Sequence, residues 1–322
     1  MTRMRALLAK TAALILALTT VAAAQDYPNR PVRIVVPFPP GGFNDIVARL
    51  IGAQLSERLG KQFIIDNRSG AGGTIAGELV ANAPKDGHTL LIVSIAGAIN
   101  PWMRKLPYDT VKSFTPVAVL ATAPNVAVIN PDVPAKSVKE FVALAKKQPG
   151  ELKYASSGVG TFLHLGGELF KLLAGVDLLH VPFRGAGPAL IDVMGGHTQA
   201  AFVSVPSVIG HVRSGKLRAI GVGGTKRSFA MPDVPTVAEQ GVTGYNAANW
   251  IGIVAPAGTP VPIVALLHKE ISAIQDTPEL KKRFVAEGTD VMKMGVAEFG
   301  AFMASEHAKW GKVIKEAKIK PE

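Results

Sequence analysis

The residues best placed to do chemistry are few, and most carry no charge. At 37–45 the chain reads Pro, Phe, Pro, Pro, Gly, Gly, Phe, Asn, Asp, after the apolar run 32–36 and ahead of a helical pattern of Ile46, Val47, Leu50, Ile51, Leu55 and Leu59. This order is a strand, a rigid turn and a helix start. Glycine lets a ligand come close to the backbone, and the first turn of a helix offers unpaired N–H groups. Together with the positive end of the helix dipole, those donors bind an anion without a charged side chain. A tight turn with no ligand fits the same residues. Asp45 leaves three chemistries open: a general base, a partner for a ligand hydroxyl or amine, or an acid that stabilises the dipole of its own helix.

Three more glycine-rich turns follow strand-like runs. Residues 67–74 lack the third glycine of a dinucleotide fingerprint and the GK[ST] ending of a phosphate loop, which disfavours nucleotides. Residues 94–100 read as a small, polar turn that includes Ala96. Residues 156–161, with Ser156, Ser157, Gly160 and Thr161, precede a helix of Phe162, Leu165, Leu169 and Leu173, and offer hydroxyls and N–H groups to a second set of oxygens. Ser204 ends a further strand-like run. Arg184 suits a carboxylate held by two parallel bonds, and equally a salt bridge that closes two domains. Phe38, Phe43, Phe162 and Trp250 offer apolar faces to a ligand, Phe162 being equally a core residue of its helix.

Enzyme constellations are missing. There is no G-x-S-x-G elbow and no H-E-x-x-H spacing. His164 and Glu168 sit one helical turn apart without further metal ligands, which makes His164 a packed or capping residue. His180, His197 and His211 stand isolated in the sequence. No cofactor and no metal are expected.

The elements that must position these turns alternate. Strand-like runs at 32–36, 62–66, 89–93, 115–120, 126–129, 153–155, 178–181, 200–203, 219–222 and 252–255 interleave with helical runs, the pattern of an α/β fold with mostly parallel strands. Ser137 with Glu140 fits a capping box. Thr259 before Pro260 and Thr277 before Pro278 mark helix starts. The segment 115–130 reads as two strands broken at 121–125, where the chain passes to a second domain; 248–256 brings it back. The expected division is residues 25–123 plus 250–322 in one domain and 124–249 in the other, with a ligand cleft between them. A single large sheet is the alternative.

Composition bounds the partners. The 322 residues carry 35 Lys+Arg against 24 Asp+Glu, a net charge of +11, and no cysteine. The cations are scattered rather than interleaved with aromatics, so nucleic acid is excluded and a general attraction for anions remains. Arg3, Arg5 and Lys10, the apolar run 14–21 and Ala22, Ala23 and Ala24 form a secretory signal, with the mature chain expected from Gln25. Without cysteine there are no disulfides and no lipid anchor of the bacterial type.

The ordered motifs resemble a known family. Tyr27, Pro28 and Asn29 lead into 30–38; Gly41 and Gly42 stand before Asp45; Asp66, Asn67 and Arg68 precede Gly70. Then come Asp86, Gly87 and His88; Asn100 and Pro101; Tyr154 to Gly158 with His164; His180 to Gly185; and Pro232 to Thr236. This series looks like the Bug/TctC receptors, the periplasmic solute-binding proteins of tripartite tricarboxylate transporters. The resemblance implies a two-domain periplasmic binding protein of type II, the Venus flytrap. It implies a carboxylated ligand, a membrane permease as partner, a monomer and a periplasmic location. It places a carboxylate between Phe38, Gly42, Phe43, Asn44 and Asp45 on one side and Ser156, Ser157, Gly160 and Thr161 on the other. Ala96, Arg184 and Ser204 complete the expected lining. Many members have a small residue and then Ser or Thr where this chain has Phe43 and Asn44, a departure that favours a flatter or aromatic acid over citrate. An exported sensor for the same ligands, or an exported hydrolase or isomerase using Asp45 or His164, are the rival functions.

Overall fold

The computed structural model describes residues 27–40, 43–183, 185–286 and 288–321. The signal segment lies outside them. The first three strands, β1 (Val32–Val36), β2 (Phe63–Asn67) and β3 (Thr89–Ser94), pair in parallel in the order β2-β1-β3. Helices α1 (Phe43–Leu59) and α2 (Thr74–Ala81) supply the crossovers, and α3 (Ile95–Met103) follows β3 directly. The strands alternate strictly. Val32, Ile34, Val36, Leu90 and Ile92 pack with α1 on one face, while Val35 and Leu91 pack with α2 and α3 on the other. A sheet buried on both faces is what such crossovers produce.

The chain then runs through β4 (Phe114–Ile129), sixteen residues without a break. The expected interruption at 121–125 is therefore absent. Pro124 has no N–H to give, and it falls where none is needed. One neighbour, β10 (Asp290–Val291), reaches only Thr122, and the next, β7 (Ala200–Ser204), begins at Asn125. Between them the ladder on that side has a gap, which suits proline. Pro116 sits at a register shift against β9 (Ala248–Pro256).

The second half of the sheet is built on the same strand. Helix α4 (Val138–Lys147) leads to β5 (Lys153–Ser156), α5 (Phe162–Ala174), β6 (Leu179–Pro182) and α6 (Ala186–Met194). After β7 come α7 (Val205–Arg213) and β8 (Arg218–Val222). The path is β2-β1-β3-β9-β4-β7-β5-β6, with β8 and β10 also paired to β4. Strand β9 returns antiparallel between β3 and β4. Helices α8 (Val261–Asp276), α9 (Pro278–Ala286) and α10 (Val296–Glu316) close the chain.

Two helix starts differ from expectation. Helix α8 begins at Val261 with Pro260 as its cap, and Thr259 turns its hydroxyl back to Pro256 O. Glu140 Oε2 accepts from Lys136 N rather than from Ser137, so only half of the expected capping box forms. Gln275, almost fully buried, donates from Nε2 to Val119 O, Leu120 O and Met292 O, and so ties α8 to the second register shift of β4.

Candidate functional site

Parallel pairing puts Asn67, the last residue of β2, level with Val36, the last of β1. From there Asn67 Nδ2 donates to Phe38 O at 3.0 Å and to Asp45 Oδ1 at 2.9 Å. Arg49, one turn further along α1, donates from Nε to Asp45 Oδ2 at 2.9 Å. Asp45 is 2% exposed. Both its oxygens are held by the protein, so it braces the first turn. Phe38 and Phe43 are half-buried, and Asn44 is buried with its Nδ2 unpaired among the described residues. Gly42 lies outside the described residues. Replacing Asp45 with Ala removes one of the two acceptors of the Asn67 amide and the buried partner of Arg49, which keeps only its bond to Asn67 Oδ1 and to solvent. The expected cost is about 2–3 kcal/mol together with weaker ligand binding, read by urea unfolding and by titration of the same sample. Unchanged stability would mean that the backbone alone holds the turn.

The turn after β5 is wired in the same manner. Ser156 is fully buried, and its Oγ lies 2.6 Å from His180 Nε2 and accepts from Gly158 N at 3.1 Å. Thr161 caps α5 by accepting from His164 N at 3.4 Å and donates to Gly158 O at 2.7 Å. Gly160, at φ +71°, donates its N–H to His164 Nδ1 at 3.1 Å. The hydroxyls of Ser156 and Thr161 and the N–H of Gly160, expected to clamp ligand oxygens, are thus spent on shaping the turn. What remains at its tip is half-buried Ser157 and exposed Val159.

His180, which looked isolated in the sequence, is stacked on His164, with ring centroids 3.9 Å apart. Accepting at Nδ1 makes His164 a neutral ring with its proton on Nε2, facing Glu168 Oε1 at 4.0 Å. Glu168 also accepts from Tyr154 Oη at 2.6 Å and from Lys171 Nζ at 3.1 Å. Burial, with a smaller push from Lys171, lowers the His164 pKa to about 4; burial, and then His164 itself, lowers that of His180 to about 4.

The second turn meets the first half of the sheet. An added Cβ on Gly160 would stand 2.8 Å from Met103 Cε, at the end of α3, and Phe162 packs edge-on against Trp310 of α10 at 6.0 Å. The stretch 94–100, expected as a turn, is mostly helix: Ser94 is the cap and α3 starts at Ile95. Ala96 therefore sits in the first turn of α3, where it shares a slot with Phe38. Ser204 is the cap residue of α7, 8% exposed and without a side-chain capping bond. Arg184 lies outside the described residues. Asn67 and His180 are the positioning residues that the search for chemistry passed over, although both stand in the family motifs. No group of His, Asp or Glu among the described residues is placed to hold a metal, and no described helix is long and apolar enough to cross a membrane.

Two sheet halves that share crossing strands, with a strand–helix turn from each half set against α3, define the two-domain binding proteins of the Venus-flytrap class. The chain belongs to the Bug/TctC family: residues 47–319 match the tripartite tricarboxylate transporter family receptor. It is 35% identical over 303 residues to protein BugT of Bordetella pertussis, covering 92% of this chain and 93% of that one. Among solved structures it resembles R. palustris Rpa4515 with adipate, at 36% identity and a TM-score of 0.82, over 92% of this chain and all of the other. It also resembles MatC of Rhodopseudomonas palustris with bound malate, at 34% identity and a TM-score of 0.76, over 89% and 100%. The family is one of binding proteins.

Proposed function

We propose that this protein is an exported, non-catalytic receptor that closes on a small carboxylate and presents it to the permease of a tripartite tricarboxylate transporter. The observation that carries the reading is that two strand–helix turns, one from each half of the sheet, stand at the two ends of α3. Phe38 and Ala96 stand at one end of α3, and Gly160 packs on Met103 at its other end. The bound adipate and malate of the two relatives support a carboxylate as the ligand. In this reading residues 25–123 plus 250–322 form one lobe and 124–249 the other, the mature protein starts at Gln25 in the periplasm, and it works as a monomer. Asp45 and Ser156 act through the backbone that they hold, leaving Phe38, Phe43, Asn44, Ala96 and Ser157, with Gly42 and Arg184, to line the cleft. Micromolar capture requires about 8 kcal/mol. A handful of N–H and hydroxyl bonds to a charged oxygen, each worth roughly 1.5–3 kcal/mol, supplies that without a buried cation.

The test is calorimetric titration of ligand-stripped mature protein with succinate, malate, adipate, citrate and benzoate. Binding of at least one acid, recovered chemically unchanged, is the expected result. Absence of heat with every acid would overturn the reading, and recovery of an altered acid would replace it with an enzyme.

A further inference from the structure

Behind the first turn runs a slot that a small carboxylate would leave empty. Phe38, Leu91, Ala96, Tyr108, Phe114 and Met303 are among the residues that line it. It is narrow, with about 50 Å³ of free space inside. No lysine or arginine among the described residues lines it, His307 is among its lining residues, and the side-chain amide of Asn100 within it is already bonded to Gly72 O at 2.7 Å. A second carboxylate pushed into it would lose water without gaining a lysine or arginine partner, which is costly.

The slot is open because side chains that would fill it are missing. At Gly77 the reason is local: an added Cβ would stand 2.1 Å from Tyr108 Oη. Gly97 is different. It lies inside α3, its φ is not in the left-handed region, and an added Cβ would meet nothing within 4 Å. Glycine inside a helix gives up about 1 kcal/mol relative to alanine, and no packing at this position requires it. Its one structural effect is to leave room beside Ala96.

We propose that this slot takes the apolar body of the bound acid. The receptor's ligand class is then a carboxylate that carries an acyl chain or a single aryl ring, not a compact tricarboxylate. The carboxylate sits at the turns and the chain passes between Phe38 and Ala96 into the slot. This rests on the carboxylate-receptor reading above, and it adds a subsite that sets specificity.

The experiment is a chain-length series on the wild-type mature protein, butanoate, hexanoate and octanoate, with benzoate and 4-phenylbutanoate beside citrate. Affinity is expected to rise about fourfold for each methylene that enters the slot, and citrate is expected to bind more weakly than hexanoate. In Gly97→Leu the added side chain occupies the slot, so the dependence on chain length should collapse. If the wild type binds acids but shows no gain with length, or if Gly97→Leu keeps the wild-type slope, the subsite is refuted while the carboxylate reading stands. If no acid in either panel binds, the carboxylate reading itself fails. Should Gly97→Leu not fold, the wild-type series decides alone.

Discussion

Between pH 6.5 and pH 4 the protein should lose stability steeply, and the loss should begin at the turn after β5. His164 and His180 have their pKa lowered from 6.5 to about 4. In this window the unfolded chain binds protons on both rings and the folded chain does not. Stability is therefore present above the unfolded pKa and is lost as pH falls towards the folded value. Each ring contributes about 3 kcal/mol at most, and the two stacked rings titrate as a pair. The groups facing them are Glu168 and Lys171 from α5, Tyr154 from β5 and each other. Glu168 would welcome a proton on either ring; Lys171 and the neighbouring imidazole oppose it. Asp290, whose pKa burial raises to about 6, works in the opposite sense, since the folded protein holds its proton longer and regains stability as pH falls. Two rings against one carboxyl leave a net loss. Protonated His164 has no lone pair for Gly160 N–H, so the turn opens first and ligand affinity should fall before global unfolding. Urea unfolding and ligand titration across the window test this. His164→Asn, which keeps an acceptor near Nδ1 and removes the titration, should flatten both curves; curves as steep as the wild type would refute the assignment.

Gly167→Ala should destabilise the protein by about 1–3 kcal/mol, although alanine is the better helix former. The new Cβ would lie 2.3 Å from Tyr154 Cε2 and 2.7 Å from its Cζ. That ring cannot step aside. It is fully buried, stacks on His180 at 5.0 Å, meets Phe202 edge-on at 5.9 Å and is bonded through Oη to Glu168. Gly210→Ala, in exposed α7 with nothing within 4 Å of the added atom, should instead stabilise by about 0.5–1 kcal/mol. The same atom added to two helices thus changes sign with its surroundings. Denaturant midpoints measured side by side decide the matter, and a Gly167→Ala midpoint at or above the wild type would mean that the Tyr154 ring can be displaced.

Local pattern made much of the architecture readable. Residues 32–59 announce strand, turn and helix because a short apolar run at 32–36 gives way to a 3.6-residue period at 46–59. Proline misled where its neighbours mattered more than its own preference. Pro124 read as a break because the gap between β10 and β7 is a property of three distant segments. Gly97 and its small neighbours made 94–100 read as a turn, although a nine-residue helix tolerates both Gly97 and Pro101. The candidate site was legible as two turns, and its wiring was not. Asp45 and Ser156 are chemically able to touch a ligand; what claims them is Asn67, twenty-two positions away, and His180, twenty-four positions away. No periodicity encodes such a pairing. The slot behind Phe38 was equally hidden, since it is a space between elements rather than a property of any one.

The place of β9 has a consequence for the order in which the molecule assembles. Strands β1, β2 and β3 are complete by Ser94, yet β3 finds its second neighbour only at Ile251 to Val254, and Val35 and Leu91 share their apolar cluster with Phe299 and Met303 of α10. Pairings so distant along the chain make folding slow, because loop closure must precede the contacts that reward it. The amino-terminal third therefore has no finished core of its own until nearly all of the polypeptide is present. For the exported receptor proposed above, this keeps the chain loose enough to be threaded through a membrane and lets both lobes condense together once the last helix has emerged.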